Sequence, residues 1–179
     1  MARYLLDLIP TQAAHVSRRD ITAAGRLHDI GKCLIPESIL DFPGRLDRIS
    51  RSTVNLHPTF GHTIATDLAK KHAWSIPDGV LQAILYHHEK WNGTGYPHGL
   101  KGADIPFSAR VISCVDMIDA ILSPRSYKPA MSVDKLKQIL ISVTGEALDP
   151  DIARIAIRNL HQLVKEGRMA GLREDYRAL

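Results

Sequence analysis

The chain has 179 residues, is 45% hydrophobic and 23% charged, and carries a net charge of +4. That balance suits one folded domain with its own core and excludes a disordered or low-complexity chain. No run of about 18 apolar residues exists, so no membrane span is supported, and the opening "MARYLLDLIPTQAAHVSRRD" lacks the apolar region and cleavage site of a secretory leader.

A cytoplasmic setting is therefore expected. Cys33 and Cys114 are far apart and form no CxxC, which reads as two reduced, fairly buried thiols. The mild positive charge suits a phosphate-bearing partner but selects none. No basic stripe interleaved with aromatics appears, so a nucleic-acid partner is not expected.

The elements read as helices almost throughout. In "RRDITAAGRLHDIGK", Ile21, Ala24, Leu27 and Leu34 stand near helical spacing, and Gly31 is the expected C-terminal stop. "PESIL" is a short Pro-initiated helical turn, and "DFPGRL" is a turn by its Pro-Gly pair. A helix is predicted over about Asp47–Leu56, and a second, opened by Pro58, over "HPTFGHTIATDLAKKH". "SIPDGVLQAILYHHE" is apolar at Val80, Leu81, Ile84 and Leu85, a clear helix, followed by a glycine-rich loop over 90–106. "FSARVISCVDMIDAIL" and "SVDKLKQILISV" are further helices, the latter capped by Ser132. "DPDIARIAIRNLHQLVKEG" opens with an acidic cap and Pro150, and a charged tail runs from Arg168.

Nine histidines are present, and the informative ones stand beside acidic residues. His28 and Asp29 are adjacent, and an aspartate so placed can bridge two metal ions; Lys32, one turn later, can offer a cation to a phosphate oxygen. A capping or surface role would explain the pair equally well. His57 precedes Pro58 at a helix junction and could project as a ligand or cap that helix. His87 and His88 point about 100° apart on a helix, so both reach one pocket only if the helix end frays or tightens; otherwise "HHE" is a solvated helix end. Asp116 and Asp119 lie in an apolar helix, where a carboxylate is costly unless it meets a metal or a salt bridge, Arg110 and Arg125 being the nearest basic candidates.

Four histidines and two aspartates, with no cysteine among them, suit Fe, Mn or Zn in a catalytic site better than a closed structural zinc site. Two ions about 3.5–4 Å apart can activate water and clamp a phosphodiester. "GTGYPHGLKG" follows a helix, not a strand, and lacks the G-x-G-x-x-G spacing, so it is no dinucleotide-binding loop; with Tyr96 it fits a mobile wall for a base or ribose.

The blocks "HDIGK", "LHPTFGH", "HHEKWNGTGYPHGLKGADIPFSARV" and "VDMIDAILSPRSYK" resemble the successive signatures of the HD-GYP domain, over about residues 21–160. That is an all-α branch of the HD metal-dependent phosphohydrolases, a helical bundle with a GYP loop, whose members hydrolyse the bacterial second messenger cyclic di-GMP. The resemblance implies residues 21–165 as the domain, 166–179 as a tail, and 1–20 as a remnant of the family's upstream helices. It implies His28, Asp29, His57, His87, His88 and Asp116 as metal ligands, Asp29 bridging, and two divalent ions, Fe or Mn. Lys32 would lie near the scissile phosphate, Arg125 and Lys128 would hold the substrate's phosphates, and Tyr96 is the tyrosine of the name motif. Members of the family carry an upstream histidine on helices before this block, and three-metal members add a nearby glutamate. Here no glutamate precedes Glu37 and His15 stands only 13 residues before His28, so a shortened start and a two-metal site are expected.

The implied activity is hydrolysis of cyclic di-GMP to the linear dinucleotide or GMP, with signalling partners such as GGDEF-type or receiver domains. Two alternatives remain open: a catalytically degenerate module that binds nucleotide or protein, and a phosphohydrolase acting on another nucleotide.

Overall fold

The computed structural model describes residues 1–9, 16–122 and 132–166; His15, Arg125, Lys128 and the tail from Arg168 lie outside them. The described residues form helices α1 (Ala2–Asp7), α2 (Arg18–Leu27), α3 (Glu37–Leu40), α4 (Arg48–Val54), α5 (His57–His72), α6 (Asp78–Tyr86), α7 (Phe107–Leu122), α8 (Val133–Val143) and α9 (Pro150–Arg158), with a further helical stretch over 160–166. No strand forms among them. A lone bridge between Thr144 and Leu148 closes the turn from α8 to α9. The all-α expectation holds. No described helix is long and apolar enough to cross a membrane.

The helix starts follow their caps. Ser17 Oγ accepts the Asp20 amide at 3.0 Å, Asp47 Oδ1 accepts that of Ser50 at 2.7 Å, and Ser132 Oγ that of Lys135 at 3.3 Å. Asp149 Oδ1 caps α9 through the amides of Asp151 and Ile152, with Pro150 in the first turn.

The core is one cluster. Ile21 and Ala24 of α2, Ile84 of α6, Ile112 and Ile118 of α7, Leu136 and Leu140 of α8, and Ile152 of α9 are all buried together. Leu5 and Leu6 of α1 join it, so the first helix packs into the same apolar mass. Helices α2, α5, α6 and α7 meet around one polar end of this core, where α2 and α6 end and α5 begins.

Two expectations change. Helix α2 ends at Leu27, with His28 as its C-cap, and a 3-10 turn covers Ile30–Leu34. Gly31 is therefore no helix stop. A Cβ there would collide with the His57 carbonyl oxygen and the Gly61 amide, so glycine is required because the backbones of this turn and α5 touch. On the facing side, a Cβ on Gly61 would sit 2.9 Å from Ile84 Cγ2 and 3.2 Å from the Gly31 amide. This paired contact brings the His28–Asp29 segment against the start of α5. The second change concerns the thiols: Cys114 is buried, with its pKa pushed up to about 12 by burial, but Cys33 is exposed.

Gly31→Ala is expected to lower the unfolding free energy by about 3 kcal/mol, the upper range for an overpacked buried site, in urea denaturation followed by circular dichroism. A loss below about 0.5 kcal/mol, as at an ordinary surface position, would show that the two segments separate freely.

Candidate metal centre

The helix ends carry the chemistry. At the end of α6, the Glu89 amide bonds the Tyr86 carbonyl at 3.0 Å, a three-residue step that tightens the last turn. The tightening brings both His87 and His88 to one pocket. His87 and Glu89 are 1% and 2% exposed, so "HHE" is not a solvated helix end.

Three of the imidazoles are oriented by backbone carbonyls. Nδ1 of His28 donates to the Gly25 carbonyl at 2.9 Å, that of His57 to Val54 at 2.8 Å, and that of His87 to Ile84 at 2.9 Å. A carbonyl can only accept, so each Nδ1 carries the proton and each Nε2 presents a lone pair. Those lone pairs converge. Nε2 of His57 and Nε2 of His87 lie 3.3 Å apart, an acceptor facing an acceptor. Nε2 of His28 is buried with no hydrogen-bond partner.

Asp29 lies between them, and its two oxygens face different groups. Oδ1 is 3.2 Å from His57 Nε2 and 3.9 Å from His87 Nε2. Oδ2 is 3.5 Å from His28 Nε2 and 2.5 Å from Lys32 Nζ. His28 Nε2 is in turn 3.6 Å from Asp116 Oδ1 on α7. His88 completes the arrangement, its ring 4.2 Å from that of His87 and 4.9 Å from that of His57. One ligand atom from each of Asp29, His57, His87 and His88 falls within 4.8 Å of the others.

Electrostatics keep most of these groups in their ligating forms. Burial pushes His87 down to about 3, helped by the neighbouring histidines, and burial does the same to His88, also to about 3. Both are neutral near pH 7. Burial opposes ionisation of Asp29, but His57 and Lys32 beside it outweigh this and hold the carboxyl below the usual carboxylate range. His28 goes the other way. Burial lowers its pKa, yet the neighbouring carboxylates of Asp116 and Asp29 outweigh this and raise it. Protonation of His28 therefore opposes cation binding there.

A divalent cation fits this donor set. Neutral imidazole nitrogens and carboxylate oxygens are what such ions bind, and facing lone pairs with an orphaned Nε2 otherwise have nothing to stabilise them. The oxygens of Asp29 divide the candidate ligands into His57, His87 and His88 on one side and His28 with Asp116 on the other.

Beside the cluster, a cavity of about 150 Å³ is lined by His87, His88, Glu89, Lys90, Ser113, Asp116, Met117 and Ala147. Tyr96 stacks on His88 with centroids 4.9 Å apart and planes at 27°, and burial raises its pKa. A family model of the HD domain matches residues 7–152. The chain belongs to the HD domain family. Its GYP segment and its relatives mark it as an HD-GYP domain.

This HD domain is 41% identical over 128 residues to a cyclic di-GMP phosphodiesterase of Vibrio cholerae serotype O1, covering 70% of the chain and 26% of that protein. It is 37% identical to the cyclic di-GMP phosphodiesterase response regulator RpfG of Xanthomonas campestris pv. campestris, covering 81% and 37%. A 3'3'-cGAMP-specific phosphodiesterase 2 of Vibrio cholerae is 32% identical, covering 80% and 27%. The chain thus spans between a quarter and two-fifths of these relatives' lengths. A crystal structure of a cyclic GMP-AMP-specific phosphodiesterase of V. cholerae shares the fold, with a TM-score of 0.59 and 17% identity over 90% of this chain and 42% of that one.

The HD domain thus brings together all six candidate ligands, with Lys32 and Tyr96 at their edge. The salt-bridge alternative for Asp116 is not what forms with Arg110. That guanidinium bonds Asp149 Oδ2 at 2.6 Å and the Ile105 carbonyl at 2.9 Å, 5.8 Å from the centroid of the Trp91 ring. Sequence reasoning missed Arg110 and Asp149 as partners because 39 residues separate them.

Saturating Mn(II) is expected to raise the melting temperature by about 5–10 °C, as about 3 kcal/mol of linkage does at a hundredfold excess over Kd. His88→Ala and Asp116→Ala should each lose bound metal by elemental analysis with helical circular dichroism retained. Full metal content in both variants would overturn the ligand assignment.

Proposed function

We propose that this HD-GYP domain is a metal-dependent phosphodiesterase that hydrolyses cyclic di-GMP to the linear dinucleotide or GMP. The observation that carries the reading is Asp29, whose Oδ1 faces His57 and His87 while its Oδ2 faces His28. Such a carboxylate is what a bridged pair of ions requires, and phosphodiester hydrolysis is the chemistry such pairs support. The substrate reading draws on the GYP loop and on relatives named for cyclic di-GMP.

In this reading His57, His87 and His88 with one Asp29 oxygen would hold one ion, and His28 and Asp116 with the other oxygen a second, Fe or Mn. Bound there, divalent ions supply Lewis-acid polarisation of a phosphate oxygen and lower the pKa of water. The protein's own groups do the rest. Lys32 offers an ammonium beside Asp29, where it can take a non-bridging phosphate oxygen. Tyr96 offers a ring face, already stacked over His88, against which a base or ribose can rest. Arg125 and Lys128 would hold the substrate's phosphates. The carbonyls behind His28, His57 and His87 keep those rings aimed inward, so no reorientation is needed when substrate arrives. The setting is cytoplasmic, with receiver or GGDEF-type domains as signalling partners.

Anaerobically purified protein loaded with Fe(II) or Mn(II) should convert cyclic di-GMP to a linear product resolved by chromatography, with 3'3'-cGAMP as the competing substrate. Asp29→Asn should lower kcat at least ~10³-fold, as loss of a group central to a preorganised electrostatic site does. Two metals per chain without turnover of either nucleotide would overturn the enzyme reading in favour of a binding module. Lys128→Ala should weaken cyclic di-GMP binding about tenfold, the worth of one charge-assisted contact, with metal content unchanged.

A further inference from the structure

The residue after the histidine pair is a carboxylate buried beside a loop. Glu89 is 2% exposed, and among the described residues no basic side chain lies within ion-pair distance of it. A carboxylate so placed is costly unless its oxygens meet donors. Its donors are two backbone amides of the GYP loop: that of His98 bonds Oε1 at 2.7 Å and that of Leu100 bonds Oε2 at 3.1 Å. Charge-assisted bonds of this kind are the stronger sort, and both oxygens are engaged.

The loop closes back onto the same point. The Tyr96 amide donates to the His88 carbonyl at 3.3 Å. A Cβ on Gly95 would collide with the Lys90 amide and lie 2.5 Å from Glu89 Cα, so only glycine lets the loop backbone come this close. The base of the loop is tied elsewhere, by the amides of Trp91 and Asn92 on the carbonyls of Ala147 and Glu146. Those bonds hold the base. The far side, which returns past Tyr96, is held by Glu89.

We infer that Glu89 is a positioning residue: its carboxylate fastens the 95–100 turn to the ligand-bearing end of α6 and keeps the Tyr96 ring over His88. The expected loop wall is then fixed rather than mobile. Substrate that rests on Tyr96 finds the wall already built, so Glu89 acts on nucleotide binding through the loop and not on the metal cluster. The choice of substrate below rests on the cyclic di-GMP reading; the exchange measurement does not.

Glu89→Gln keeps the shape but replaces one acceptor oxygen with an NH₂ that faces an amide donor. In the metal-loaded protein, exchange of the His98 and Leu100 amides should accelerate about tenfold, the loss of one net hydrogen bond of this kind. Metal content should stay at the wild-type value. KM for cyclic di-GMP should rise about tenfold by the same measure, while kcat/KM for bis(p-nitrophenyl) phosphate, which carries no base or ribose for the loop wall, is unchanged. Tyr96→Ala should raise KM for cyclic di-GMP by a similar factor, and the double variant should add little to either single effect.

Unchanged exchange at His98 and Leu100 would overturn the inference. So would loss of metal with both substrates falling together. If wild-type protein turns over neither substrate, the phosphodiesterase reading fails, and faster exchange in Glu89→Gln still upholds the clamp. If that variant does not fold, wild-type protection decides: slow exchange at both amides upholds the clamp, and exchange as fast as in exposed loops overturns it.

Discussion

Two imidazole nitrogens, Nε2 of His57 and Nε2 of His87, face each other at 3.3 Å with a carboxylate oxygen of Asp29 beside them. Left to themselves these acceptors repel, and both rings are almost wholly buried. A fold settles into such an arrangement only if stronger constraints impose it. Here the constraints are backbone ones. Each Nδ1 is spent on a carbonyl three residues upstream, which aims Nε2 outward from its own helix end. The Gly31–Gly61 contact then presses the Asp29 segment against α5, because neither residue has a Cβ to hold the backbones apart.

The apolar core makes that imposition affordable. Ile84 lies under both features: its carbonyl orients His87 and its Cγ2 abuts Gly61. Ile112 and Ile118 bury α7 on the inner side, while Asp116 on the same helix turns toward His28. The polar cluster is thus one end of the hydrophobic core. Burial depresses the basicity of His87 and His88, keeping their lone pairs available, and the two aspartates near His28 raise its basicity. One low-dielectric site therefore prepares His87 and His88 for a cation, while protonation is favoured more at His28.

Much of this was legible in the sequence because it is local. Helix periodicity, the caps at Ser132 and Asp149, and the His-Asp, His-Pro and His-His-Glu clusters are all read within a few residues. The all-α fold and the six candidate ligands followed from those patterns and the resemblance they carry. What could not be read depends on contacts across the chain. Gly31 looked like a helix stop because the segment it touches is 26 to 30 residues away, at His57 and Gly61. Arg110 looked available to Asp116, which lies close in sequence, but its partner is Asp149. The place of Glu89 stayed open in the sequence because its donors are backbone amides, and side-chain identity says nothing about where an amide will point.

The same division separates reaction from recognition. Ions held by histidine and aspartate act on a phosphate group, and every cyclic dinucleotide has that group, so the cluster itself is blind to the base. Discrimination between guanine and adenine needs donors and acceptors placed beyond the phosphate, against the Watson–Crick or Hoogsteen edge of a base. Among the described residues, Lys90, Ser113 and Ala147 share a cavity wall with His87 and His88, and in the proposed reading they and the GYP loop would face the bases. Changes there can alter which nucleotide fits while leaving the ligands untouched. In the proposed reading, the inferred Glu89 clamp on the loop's far side would bear on selectivity, because a wall that shifts by an ångström no longer tells one ring edge from another.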